Sequence, residues 1–350
     1  MRPRPRPGAV LLGAGLTVLT FVILSLAPAS RAAALAPAAG TPANYLPLVV
    51  KPQTGSSINF LPIVLVAPTP TPTGTPVPVT PPAASDWQSV LAYYRASARL
   101  PALAENPAWS AGAADHARYM VKNDVLASSE DISNTWYSAA GATEAANSNL
   151  MLSDDVSVTD RQALDFWMSK PFHALGLLDP ALQSTGFGSF REDAGPFDPY
   201  RMGAVADVRQ GLGFIPYSVS FPIEWPSQNS TVYLTSYDGN EQPDPLTSCP
   251  GYSAPSGLPI LLQAGPGGST PTVGAHTIRQ GNTDLPHCAF TANSYVNGLD
   301  PALQTLGRQI LAASDALVLI PQAPLIPGAS YTVSIVVNGQ ALTWTFSVAP

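Results

Sequence analysis

The sequence predicts an α+β chain in which a layered α-β-α unit is followed by an all-β sandwich of immunoglobulin-like type. Three observations carry that expectation. From Ser85 apolar residues recur at helical spacing in successive runs, which give way to two strand-like runs before residue 212. From about Gly213 the runs become short and are bounded by Pro, Gly and Asn. The chain then closes on "YTVSIVV", the turn "NG" and "ALTWTFSV", a strong hairpin signature.

Composition narrows the function class. Charged residues make up 11% of the 350 residues, well below the usual quarter, and the net charge is −7. Lysine occurs only at Lys51, Lys122 and Lys170, and the arginines are scattered. No clustered basic surface is available for phosphates, so no nucleic-acid partner is expected.

Residues 1–29 read as a signal peptide. Arg2, Arg4 and Arg6 precede an uncharged stretch over 8–29 that ends in the small-x-small triplet "APA". Retention as an N-terminal anchor is the alternative, because 22 uncharged residues also span a bilayer. Either route places the rest of the chain in a secreted or cell-surface setting, with membrane contact only through that segment. Residues 30–84 form an Ala/Pro/Thr-rich linker. Its last part, "APTPTPTGTPVPVTPPAA", favours extended polyproline II and acts as a semi-rigid spacer.

Residues 85–212 form the first globular unit. Ser85, with Gln88 three residues on, suggests a capping box ahead of Trp87, Val90, Leu91 and Tyr94. Asn106 as N-cap and Pro107 at the first helical position open a second helix. In that helix Trp109, Ala113, His116 and Met120 form one apolar stripe, which turns His116 inward. Residues 123–158 read as a loop. A third helix begins near Thr159 and Asp160, and Ser169 is expected to cap a short helix with Pro171 in its first turn. "STGFGSF" and "RMGAVADVRQ" read as strands, with Gly186 and Gly188 marking close backbone approach.

Residues 213–350 form the second unit. "TVYLTSY", "LPILLQA", "GAHTIRQ" and "DALVLIP" read as strands ahead of the hairpin. Cys249 and Cys288 are the only cysteines, and outside the cytoplasm a disulfide between them is chemically reasonable. It would contribute roughly 4 kcal/mol in the chain-entropy model. His287 adjoins Cys288, but no CxxC partner accompanies it, so a metal is not the expectation there. "GPGGST" (265–270) lacks the lysine of a phosphate loop and reads as a surface turn. "DPALQ" occurs at 179–183 and at 300–304 without extension, so it is not a structural repeat.

Two stretches carry a resemblance. "VLAYYRASARLPALAENPAWSAGAADHARYM" has a helix with Tyr93-Tyr94-Arg95 near its end, against the family's N/Y-x-x-R, then an L-x-x-L step and a second helix with A-x-x-H-A. "FWMSKPFHALGLLDPALQSTGFG" has a Trp, a Ser-Lys-Pro-Phe-His step and a G-x-G strand. Together they resemble the CAP superfamily (cysteine-rich secretory proteins, antigen 5, pathogenesis-related 1) in its bacterial SCP-like form, over about residues 85–210. The resemblance implies an α-β-α sandwich in which His116 and His173 converge in one cleft, usually with two acidic residues. Glu130 matches the acid of the loop after the second helix. The family's G-E-N-[IL] pattern aligns with "NSNL", which puts Ser148 where Glu is usual, with Glu144 four residues earlier. Ser128 stands where related sequences often have histidine.

On this reading the chain is a secreted or surface binding protein, not committed to catalysis, whose ligand is a lipid or a cell-envelope component. The alternative is a metal-dependent hydrolase. Two imidazoles and Glu130 would supply three ligands for zinc or another divalent cation and leave an open position. Ser128 or Ser129 as a nucleophile lacks any G-x-S-x-G context.

Overall fold

The computed structural model describes residues 86–193, 195 and 199–350; the leader and linker expectations, and Ser85, lie outside them. The architecture is α+β: an α-β-α layered part is followed by a part dominated by two β-sheets.

Six helices occur among the described residues: α1 (Trp87–Ser97), α2 (Pro107–Lys122), α3 (Ala139–Asn147), α4 (Asp160–Met168), α5 (Pro171–Leu177) and α6 (Pro301–Ala313). The first is capped by Asp86, whose carboxylate accepts from Ser89 N, so the start expected at Ser85 shifts by one residue. Asn106 and Pro107 open α2 as their types require. Thr159 and Gln162 form a reciprocal capping box on α4. Residues 123–158 are not all loop: they hold α3 and a strand, β1 (Ser148–Ser153). Ala-rich α3 carries only Gly141, Glu144 and Ala145 buried, too few to produce an apolar periodicity.

Strand β1 pairs antiparallel with β3 (Met202–Asp207), which also pairs with β2 (Phe187–Arg191). Every residue of β3 is buried, as expected for a strand covered on both faces. Val205 packs with Ala113, Ala117 and Met120 of α2, whereas Met202, Ala204 and Ala206 join the core formed with α1, α4 and α5. The period of two along β3 thus creates the two helical layers. The close approach expected at Gly186 and Gly188 is present: a Cβ on Gly188 would collide with the Ala114 backbone of α2, and one on Gly186 with Trp109 and Ser110.

The second part has a four-stranded sheet in the order β9-β10-β6-β4. These strands are β4 (Ile223–Trp225), β6 (Ile260–Gln263), β9 (His287–Thr291) and β10 (Ala316–Pro321). The five-stranded sheet has the order β8-β7-β11-β12-β5, from β5 (Thr231–Val232), β7 (Val273–Gln280), β8 (Thr283–Asp284), β11 (Ser330–Val337) and β12 (Gln340–Val348). The β11–β12 hairpin turns at Asn338 and Gly339, both at positive φ, as a two-residue primed turn needs. Cys249 and Cys288 form the disulfide. The all-β expectation is corrected by α6, which Asp300 caps through Ala302 N and Leu303 N. Asp179 caps Ala181 N in the same way in the other "DPALQ", yet no helix follows there. The residues after each pentapeptide decide the outcome: "STGFG" supplies a strand, "TLGRQILAA" a helical face. The loop "GPGGST" wraps a carboxylate of its own chain, with Gly267 N and Ser269 N donating to Asp315.

All residues of β6 and β10 are buried, because α5 packs on β6 and α6 on β10. One continuous cluster of buried side chains runs from Val90 and Trp167 to Leu317 and Phe346. Within the helical part, Arg95 is fully buried. Its guanidinium donates to the carbonyls of Pro101, Leu177, Asp179 and Leu182, and burial holds it down to about 10. Its planar fork reaches four acceptors that an ammonium group cannot serve together. Arg95→Lys is expected to destabilise the protein by roughly 3 kcal/mol by stranding buried carbonyls. A shift in the urea midpoint of under a tenth of that energy, at unchanged slope, would contradict this assignment.

Candidate functional site

The residues singled out by sequence separate into three hydrogen-bonded groups. The first forms between α2, α3 and the loop joining them. His116 lies on the inward stripe of α2, and its side chain and that of Glu130 have no exposed surface. His116 Nε2 lies 2.8 Å from the carbonyl oxygen of Ala127, which only accepts, so Nε2 carries a hydrogen. Nδ1 lies 2.9 Å from Glu130 Oε1, and a single proton is shared along that contact. Glu130 Oε2 accepts from Ser138 N at the start of α3, so both carboxyl oxygens are engaged. A Cβ on Gly141 would strike Glu130 Oε1, so glycine is what lets α3 close over the pair. Ser128 is half-buried on the same loop.

The second group centres on Glu144 in α3. Ser148 Oγ donates to Glu144 Oε2 at 3.3 Å, which brings together the two residues that compete for the family's acidic position. Gln210 Nε2 donates to Glu144 Oε1 at 2.7 Å and also to Asp207 Oδ2, so one amide bridges two buried carboxyls. Asp207 Oδ1 accepts from Arg209 N and Gln210 N, both at 2.9 Å. Burial, reinforced by Asp207, pushes Glu144 up to about 7.

The third group holds His173 at the start of α5. Ser169 ends α4 and does not cap α5, which has no side-chain cap from its own flank. The cap arrives from residue 241. Glu241 Oε1 accepts from Phe172 N at 2.9 Å, His173 N at 3.0 Å and His173 Nδ1 at 2.8 Å. The carboxyl is completely buried, burial raises its pKa, and its Oε2 has no hydrogen-bond partner. Beside it the buried Lys170 ammonium reaches the more exposed Asp238 at 2.6 Å and lies 3.6 Å over the Phe166 ring. Nothing in the sequence marks Glu241: it is 68 residues from His173, in the Pro-rich loop "GNEQPDP".

The two histidines have different hydrogen-bond partners. His116 is sealed, with both ring nitrogens occupied, and His173 is oriented by Glu241, not by Glu130. His116, His173 and Glu130 are not grouped as one set of three ligands. Among the described residues no cluster of three or more His, Cys, Asp or Glu side chains is arranged to hold a metal ion. Glu241, from the β-region, reaches into the helical part and engages His173.

Glu144 yields a pH prediction. Its pKa in the fold is above that of the unfolded chain, so its contribution favours folding at low pH and is lost as pH rises through about 7. Glu144→Gln keeps the Gln210 and Ser148 contacts in reach and removes that dependence. Between pH 5 and pH 7.5 the urea midpoint of the variant should fall less than that of the native protein; parallel profiles would show that Glu144 is not held protonated.

Residues 88–202 match the family model described as cysteine-rich secretory protein family, CAP. No curated protein and no solved structure matches the chain. The match begins in α1 and ends at the first residue of β3, so it spans both helical layers and the sheet between them up to the start of its central strand. The family match and the α-β-α layering coincide over this stretch, so residues 88–202 are the part of the chain that is similar to the CAP family.

Proposed function

We propose that this protein is an extracellular binding protein built on a CAP domain, and that it works without catalysing a reaction. The observation that carries the reading is a groove of about 340 Å³ along the seam between α4 and the segment 233–238. Met151, Val158, Phe166 and Leu234 give it an apolar lining, and Asp165 and Asp238 add carboxyls. Its volume falls at the lower end of the range for small-molecule sites. Asp165 is held by Tyr94 and Tyr233 hydroxyls, and burial raises its pKa. Such a site suits an amphipathic molecule, with an apolar body against the lining and a donor-bearing head at the carboxyls.

Two further features support the reading. His116 and Glu130 are fully engaged with one another and with backbone, as structural pairs are. The Cys249–Cys288 disulfide and the export-type leader agree with a secreted or cell-surface location. Among the described residues no helix is long and apolar enough to cross a membrane.

The ligand class is a lipid or a lipid-like component of a cell envelope. Titration with a fluorescent long-chain alkylamine is expected to saturate. Val158→Asp and Leu234→Asp, each introducing charge into the lining, should weaken it at least tenfold in proteins that retain the native far-UV spectrum. Binding that is unsaturable, or that is indifferent to both substitutions, would dismiss the groove as the site.

A further inference from the structure

The second part of the chain holds a histidine pair that shares no residue with the groove or with the three groups of the candidate site. His276 on β7 and His287 at the start of β9 belong to different sheets, yet their rings meet with Nδ1 of His276 2.8 Å from Nε2 of His287. The ring centroids are 4.9 Å apart and the planes cross at 68°. Both side chains are partly exposed, and β7 is irregular just before His276.

The protons on this pair follow from its surroundings. His287 Nδ1 lies 2.7 Å from the carbonyl oxygen of Leu285, so Nδ1 carries the hydrogen and Nε2 presents a lone pair. A carbonyl behind the distal nitrogen is the usual way a ligating imidazole has its tautomer and orientation set. His276 Nδ1 donates into that lone pair. Asp284, paired with Arg279, lies within electrostatic reach of His287 and adds negative potential beside it. Cys288, the next residue, is tied to Cys249, so the strand bearing His287 is anchored.

We propose that His276 and His287 form a binding site for a divalent transition metal of the borderline class, Cu²⁺, Ni²⁺ or Zn²⁺. Such ions favour imidazole nitrogen, at bond lengths of about 2.0–2.1 Å. Two nitrogens 2.8 Å apart then subtend roughly 90° at the ion. That angle matches neighbouring positions of a square-planar or octahedral shell. The ion replaces the hydrogen between the rings: neutral His276 moves its proton from Nδ1 to Nε2, and each ring turns about its Cβ–Cγ bond toward the ion. No third His, Cys, Asp or Glu joins the pair among the described residues, so water completes the shell. The site is separate from the groove and does not depend on it.

Cu²⁺ is the probe that can count its ligands. Added to the native protein near neutral pH, it should bind with one-to-one stoichiometry at micromolar concentration, and pulsed electron paramagnetic resonance should detect two coordinated imidazoles. His276→Gln and His287→Gln should each weaken binding at least tenfold and leave at most one imidazole in the signal. Should either variant fail to fold, the imidazole count on the native protein decides. One imidazole or none there, absence of saturable binding, or a two-imidazole signal that persists in both folded variants would overturn the proposal.

Discussion

The Glu241 carboxyl, buried against the first turn of α5, is the constraint around which the two parts of the chain are arranged. A seven-residue helix with no cap on its own flank is weak in isolation. Here a distant carboxyl supplies the missing acceptor at its N-terminus, and the Arg95 guanidinium takes carbonyls at its C-terminus. Negative charge at the positive end and positive charge at the negative end both complement the helix dipole. One partner comes from the β-region and the other from α1, so α5 is held in place by elements that precede and follow it in sequence. His173 is oriented as a by-product of this arrangement.

Buried charge at the ends of such a helix is costly unless its hydrogen bonds are complete. Arg95 meets that condition with four carbonyls. Glu241 meets it on one oxygen only; burial raises its pKa, and the contacts to His173, with Lys170 after them, oppose that rise. The helical layer and the β-sheets are therefore joined by polar contacts set inside a continuous apolar core. Those contacts fix orientation, and the area around them supplies most of the stabilisation.

Much of the fold was legible in local chemistry. Asn106–Pro107, the Asn338–Gly339 turn, the apolar stripe of α2 and the close-packed Gly186 and Gly188 all act through neighbours or through one facing element. α3 escaped because alanine gives no periodicity, and α6 because its pentapeptide start occurs elsewhere without a helix. The pairing of His116 with Glu130 followed the family pattern, whereas the pairing of His173 with Glu241 was not part of it. Glu241 lies outside the CAP match, and no local signal reports a contact formed between sheets and helices so far apart in the chain. The histidine pair across β7 and β9 was equally hidden: each residue alone looks like an ordinary strand position.

The remote cap also sets an order of events during synthesis. When the CAP segment has just been made, α5 still lacks its acceptor, and the face of the helix that rests on β6 has nothing to cover it. Residue 241 and then the strands around 260 and 316 must emerge before that layer can settle. β5 cannot find its parallel neighbour until the last residues of β12 are available. The central layer thus closes only once β12 has been made, and a nascent chain spends that interval with the layer open.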